Sequence, residues 1–212
     1  MKIKLLTISL LIFTSYALFA QKGTASTGIA KEKSNFGLKF GSNATSQSLE
    51  YDNSLASPPF ALKTSSLTSF HVGVFGEFIL SKKIELKSEI LYSKEGFKMD
   101  IGVVNFIQSL DYIKVPVITK FKPFANNFSV LAGPQFGFLI NDNVDLGGVL
   151  VQVIDDSFKD FEVSAILGFE YDVTNRFIIG VRYNFGLTEN SNDKAISYKS
   201  NNFQTYLGFR LF

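Results

Sequence analysis

The sequence predicts an all-β chain, an eight-stranded antiparallel up-and-down transmembrane β-barrel preceded by a signal peptide. Three observations carry that reading. Apolar residues recur with period two in eight segments, the joints between segments alternate long and short, and aromatic side chains gather at the segment ends.

Composition sets the frame. Of the 212 residues, 46% are hydrophobic and 23 are Phe, which is too apolar for a disordered chain. No internal apolar run is long enough for a membrane helix, so the apolar content belongs to strands. The net charge is +2 and no basic patch is interleaved with aromatics, so nothing points to nucleic acid. Cysteine is absent, which excludes disulfides, thiol chemistry, Cys-based metal sites and a lipoprotein anchor.

Residues 1–20 have the layout of a secretory signal peptide. Lys2 and Lys4 precede the apolar run Leu5 to Phe19, and polar sequence begins after Ala20. A polar periplasmic leader follows over 21–34, and the outer-membrane barrel domain is expected over 35–212.

Each strand then reads as two faces. In Asn35–Gly41, Phe36, Leu38 and Phe40 oppose Asn35, Gly37 and Lys39. In Phe70–Leu80, Phe70, Val72, Val74 and Phe78 oppose His71, Gly73, Phe75 and Glu77. In Ile84–Phe97, Leu86, Ile90 and Tyr92 oppose Glu85, Lys87, Glu89, Ser93 and Glu95. In Tyr112–Lys122, Ile113, Val115, Val117 and Phe121 oppose Lys114, Lys120 and Lys122. The second half repeats the pattern in segments beginning at Phe128, Phe161, Phe177 and Phe203, with Gln135, Glu162, Glu170, Arg182, Gln204, Tyr206 and Arg210 on the polar faces. Each segment has roughly the ~10 residues that a tilted membrane-crossing strand needs.

The short joints fall at Ser81–Lys83, Pro123–Asn127 and Asp172–Arg176, and the long ones at Ser42–Ser69, Lys98–Asp111, Asn141–Asp160 and Thr188–Asn202. An outer-membrane barrel has short periplasmic turns and long outer loops. Phe121, Phe128, Phe169, Tyr171, Phe177 and Phe209 then fall near the periplasmic rim. Tyr92, Phe136, Phe138, Phe161, Tyr183, Phe185 and Phe203 fall near the outer one, making two interfacial girdles. Pro116 and Pro134 lie inside strands and lack a ladder donor, so a bulge or local irregularity is expected at each. The apolar stretches Ile101–Ile107 and Val149–Ile154 are expected to extend the hairpins above the membrane.

Several motifs resemble the PorT-like family of small outer-membrane β-barrels, similar in architecture to OmpX-type barrels. They are Leu110-Asp111-Tyr112-Ile113-Lys114-Val115-Pro116-Val117 with Lys120, Ala132-Gly133-Pro134, Gly180-Val181-Arg182-Tyr183-Asn184-Phe185-Gly186-Leu187-Thr188, and the terminal Leu207-Gly208-Phe209-Arg210-Leu211-Phe212. The resemblance implies that the strand prolines are a shared feature and that the barrel assembly machinery recognises the C-terminal strand. Some members assist secretion or gliding machinery, and no catalytic motif carries over. Phe212 departs from the pattern, being out of phase with Phe209 and Leu211.

Little points to chemistry. His71, the one histidine, lies on an inner face where Glu77, Glu95 or Ser93 are candidate neighbours for a Ser-His-acid site, but no nucleophile turn such as G-x-S-x-G accompanies it. Inner-face acids Glu77, Glu85, Glu89, Glu95, Glu162 and Glu170 match bases Lys39, Lys87, Lys114, Lys120, Arg182 and Arg210, six against six. Eight strands leave an interior about filled by side chains, so this set reads as a packed, charge-balanced lumen and not a selective pore. Asn141-Asp142-Asn143-Val144-Asp145-Leu146 is faintly calcium-loop-like. It has Leu146 where Gly is required and Gln152 in place of the terminal Glu, so it reads as a polar turn.

The expected function is a non-enzymatic outer-membrane barrel with long extracellular loops, structural, binding or secretion-related, without cofactor, metal or catalytic residues. Its expected partners are outer-membrane lipid, the barrel assembly machinery, and envelope or secretion partners through the loops. The alternatives are a barrel enzyme acting on lipid or peptide through His71, and a soluble lipocalin-like ligand-binding barrel.

Overall fold

The computed structural model describes residues 34–51, 64–100, 105–124, 127–146, 149–152, 159–188 and 196–211. The signal peptide, almost all of the leader, Pro58-Pro59 and Phe212 lie outside them. Among the described residues nine strands follow in order: β1 (Ser34–Tyr51), β2 (Thr64–Ile79), β3 (Ile84–Asp100), β4 (Asn105–Phe121), β5 (Phe128–Leu146), β6 (Val149–Gln152), β7 (Phe161–Asp172), β8 (Phe177–Gly186) and β9 (Ile196–Arg210). Each of the eight long strands pairs antiparallel with its neighbours, and β9 returns to β1. The sheet therefore closes into an eight-stranded barrel. The four-residue β6 pairs with the upper end of β5 and makes a side hairpin.

The faces are those of a membrane barrel. Phe40 is 58% exposed on the outside, whereas Lys39 beside it is 1% exposed in the lumen. Leu38, Phe70, Val74, Leu167, Phe177 and Leu207 likewise face outward, and His71, Glu77, Lys87, Glu89 and Arg182 are buried inside. Apolar side chains outside and ions inside correct the soluble ligand-binding alternative, which requires the opposite polarity.

Two aromatic girdles ring the wall. Phe36–Phe78, Phe128–Phe169 and Phe177–Phe209 stand 6.2, 5.6 and 5.0 Å apart between ring centroids at the short-turn end. Phe70–Tyr92, Phe138–Phe161 and Tyr183–Phe185 stand 6.0, 5.3 and 4.6 Å apart at the other end. The short turns are bound tightly. The Ser81 hydroxyl accepts from the Lys83 and Ile84 amides, and the Thr174 hydroxyl from those of Arg176 and Phe177. Backbone bonds Lys122–Lys83, Asp172–Asn127, Arg210–Arg176 and Leu211–Phe36 then join turn to turn around the ring.

The strands run further than their hydrophobic alternation. β1 continues to Tyr51, β2 starts at Thr64, β3 reaches Asp100, β5 reaches Leu146 and β9 starts at Ile196. Much of each expected long loop is therefore extended hairpin. Above the hydrocarbon the outer face meets water, so the apolar alternation stops while backbone pairing does not. β6 accounts for Val149–Gln152 and β4 for residues 105–107 of the stretches expected to extend the hairpins; the remainder of both lies outside the described residues.

The prolines produce gaps and not bulges. β3–β4 pairing lapses between Ser88↔Val117 and Leu91↔Lys114, and β4–β5 pairing lapses between Pro116↔Gln135 and Thr119↔Ala132, with register kept across both. Among the described residues, register shifts occur at two other places, between Ser66 and His71 and between Asp111 and Tyr112. Gly96, at φ 144°, lies beside the first; a Cβ there would sit 1.9 Å from the Gln108 carbonyl oxygen, so only glycine fits. At the second, Asp111 pairs with Asn141 and Tyr112 with Leu139, which leaves Ile140 as the extra residue on β5. Below Ile140 the odd-numbered residues of β5 face inward; above it the even-numbered Val144 does.

Candidate functional site

The lumen holds the chemistry of this barrel. All twelve predicted inner-face ions are buried, and each has at least one oppositely charged partner. Near the short turns, Glu77 accepts from Lys120 at 2.9 Å and from Arg210 Nε at 2.6 Å, with Lys87 at 3.4 Å. Glu170 meets Lys87 at 2.5 Å and Lys120 at 2.8 Å and accepts from the Tyr206 hydroxyl at 2.8 Å. Glu85, Lys122 and Asp172 complete this lower cluster: Lys122 bonds Glu85, and Arg210 Nη2 lies 2.7 Å from Asp172. Lys122 and Asp172 are members that strand-face reasoning did not pair.

At mid-height Glu89 accepts from both Lys39 Nζ, at 2.9 and 3.0 Å, and Arg182 Nη1, at 2.8 Å. Arg182 Nε donates to Gln204, whose amide donates in turn to Asn43 at 2.8 Å. Higher again, Lys114 bridges Glu95, at 3.3 Å, and Glu162, while Ser93 and Asn202 donate to Glu95. The polar side chains alternate with an apolar layer. Ile118, Leu131, Ile166 and Tyr206 form one buried cluster; alternation placed Tyr206 inward, whereas Ile118, Leu131 and Ile166 sit in apolar runs such as Val130-Leu131-Ala132, where neither face is marked. Aromatics lie over interior glycines: the Phe75 ring would be 2.4 Å from a Cβ on Gly37, and Tyr206 2.3 Å from one on Gly180. Lys39 sits 3.5 Å over Tyr206, and Lys87 4.3 Å over Phe75.

His71 is buried, and its Nδ1 is 2.8 Å from the Asn43 side-chain oxygen. A carbonyl oxygen only accepts, so Nδ1 carries a proton and donates. Nε2 has no hydrogen-bond partner among the described protein groups. Ser93 is the cross-strand neighbour of His71, but its hydroxyl donates to Glu95 and accepts from Asn43. Glu77 is held by cations in the lower cluster. The predicted candidates are therefore near one another only in part, and among the described residues no acid orients the imidazole. Among the described residues no group of three or more His, Cys, Asp or Glu is placed to hold a metal.

Above the upper girdle the interior changes character. Leu67, Phe97, Leu110, Tyr112 and Val144 are buried there, while Thr68 and Lys98 face outward. Gln108 donates to Asp142 and Asn141 to Asp111, so the calcium-like segment is hairpin strand bonded to β4. Burial raises the Asp142 carboxyl above its usual range, against the opposing effect of the Gln108 hydrogen bond.

A family model described as "Outer membrane protein beta-barrel domain" matches residues 19–192. Neisserial surface protein A is similar in structure, at 15% identity and a TM-score of 0.53, over 85% of this chain and 100% of that one. Ail of Yersinia pestis (10% identity, 84% and 99% covered, TM-score 0.48) and OprG of Pseudomonas aeruginosa (9%, 85% and 97%, 0.47) are also similar. These identities speak to the fold alone. No curated protein matches the chain.

Proposed function

We propose that this chain, which belongs to the outer membrane protein β-barrel domain family and resides in the bacterial outer membrane, is a non-enzymatic scaffold that presents raised hairpins to a binding or secretion partner. The observation that carries this is the closed lumen. Twelve buried ions pair with one another, and an apolar layer lies among them, so the interior is plugged by its own side chains. The regions left to meet another molecule are the raised walls and the tips they carry, and in such barrels function concentrates in loops on a rigid frame.

The finer PorT-like assignment rests on motifs whose residues Tyr112, Lys114, Lys120, Arg182 and Asn184 all lie in this plug. With it comes the proposal that the barrel assembly machinery engages β9. A chain with its four raised hairpin tips replaced by short turns is expected to keep heat-modifiable migration of the folded barrel while failing to complement a null strain. Full complementation would overturn the reading. Catalysis through His71 has only the unpartnered Nε2 in its favour, and His71→Ala retaining every envelope phenotype would remove it.

A further inference from the structure

The lipid-facing wall carries a groove of about 580 Å³ across β1, β9, β8 and β7, within the size range of small-molecule sites, roughly 300–1,000 Å³. Two cross-strand rows line it, one running from Phe40 through Leu207 and Ile179 to Tyr171, the other from Ser42 to Phe169. Three strand spacings make it about 14 Å long. Large side chains flank it, while its floor is the small Ser42–Thr205 pair and the backbone around Gly41 and Gly180. The two hydroxyls lie 2.8 Å apart and bond each other, which suits a surface facing hydrocarbon.

Because strands tilt in the membrane, the rows climb diagonally, and the Tyr171 end opens at the short-turn rim. That rim is cationic. Among the described residues of the short turns, the exposed charged side chains are Lys82, Lys83 and Arg176, and the nearby Asp172 is engaged by Arg210 at 2.7 Å. Arg176 sits in the β7–β8 turn that Tyr171 leads into.

We infer that the groove seats one acyl chain of a phospholipid of the periplasmic leaflet, with its phosphate drawn to Arg176. The groove is continuous with the lipid-facing belt, and its cationic end complements a phosphate. A lipopolysaccharide places its phosphates at the opposite rim.

Native mass spectrometry of the folded barrel released from phosphatidylethanolamine–phosphatidylglycerol bilayers tests this. One retained phospholipid per wild-type barrel is expected. Thr205→Phe with Val181→Phe fills the groove and is expected to lower retention about tenfold. Arg176→Gln removes one basic residue from the rim and is expected to lower it about fivefold. Heat-modifiable migration verifies that each variant has folded. Wild-type barrels without retained phospholipid, retention unchanged by filling the groove, preferential retention of lipopolysaccharide, or a second copy of the chain in place of lipid would each overturn the inference.

Discussion

The embedded wall and the raised wall are built from the same strands but place their charges differently. Between the girdles, Leu38, Val74 and Leu167 face out and the ions Lys39, Glu89 and Arg182 face in. Above them, Leu67, Phe97, Leu110 and Val144 face in beside the uncharged Thr45 and Gln108, and Thr68 and Lys98 face out. The medium outside decides which. Against lipid the outer face must be apolar and the lumen is free to be polar, whereas against water an apolar interior is again favourable. Both register shifts lie near this change, and on β5 the extra residue Ile140 turns Val144 inward, since a one-residue slip exchanges the two faces of a strand.

The two regions should therefore fail in different ways. The largest effect is expected from Glu77→Ala, which leaves Lys120, Lys87 and Arg210 buried around a lost partner and should remove about 3–5 kcal/mol of stability or more. Urea unfolding of the bilayer-inserted barrel, followed by its gel mobility, measures this; a change below about 1 kcal/mol would mean that the lumen is hydrated enough to screen the cluster.

Leu110→Ala removes a buried side chain from the raised core and is expected to cost about 2–5 kcal/mol. The damage should appear as protease sensitivity of the raised hairpins, with the embedded band intact. Joint loss of both regions would show that they are one cooperative unit. Val74→Arg, in the middle of the lipid-facing side of β2, should destabilise by about 2–4 kcal/mol, an effect the raised wall has no counterpart for. The smallest effect belongs to Lys94→Ala. Its 3.6 Å pair with Asp111 is partly exposed above the girdle, and its loss should change stability by about 0–1 kcal/mol, less in high salt.

Legibility in the sequence followed the same division. Alternation in the embedded strands identified the outward faces and the charged inward ones, because lipid outside imposes a strict rule on one side of each strand. Ser42–Tyr51 gave no such signal, since its outer face meets water and its strand is held by pairing with β2 and β9. The inward Ile118, Leu131 and Ile166 were hidden in runs where both faces are apolar. Pro116 and Pro134 announced an irregularity but not its form, because a missing donor interrupts a ladder with or without a register shift.

By itself the sequence determined the closed all-β architecture, the outward apolar faces and an inner set of six acids against six bases, since each follows from period two and from the medium a strand must face. Only the tertiary structure decided which ions meet. Lys87 and Glu170 are 83 positions apart in the chain, and closure of the barrel brings them together across the lumen, while Lys39 and Glu89, 50 apart, meet past β2, which pairs with both of their strands. It also decided which side chain His71 donates to and where the interior turns from ionic to uncharged. All of these depend on contacts between strands distant in sequence, which no local pattern encodes.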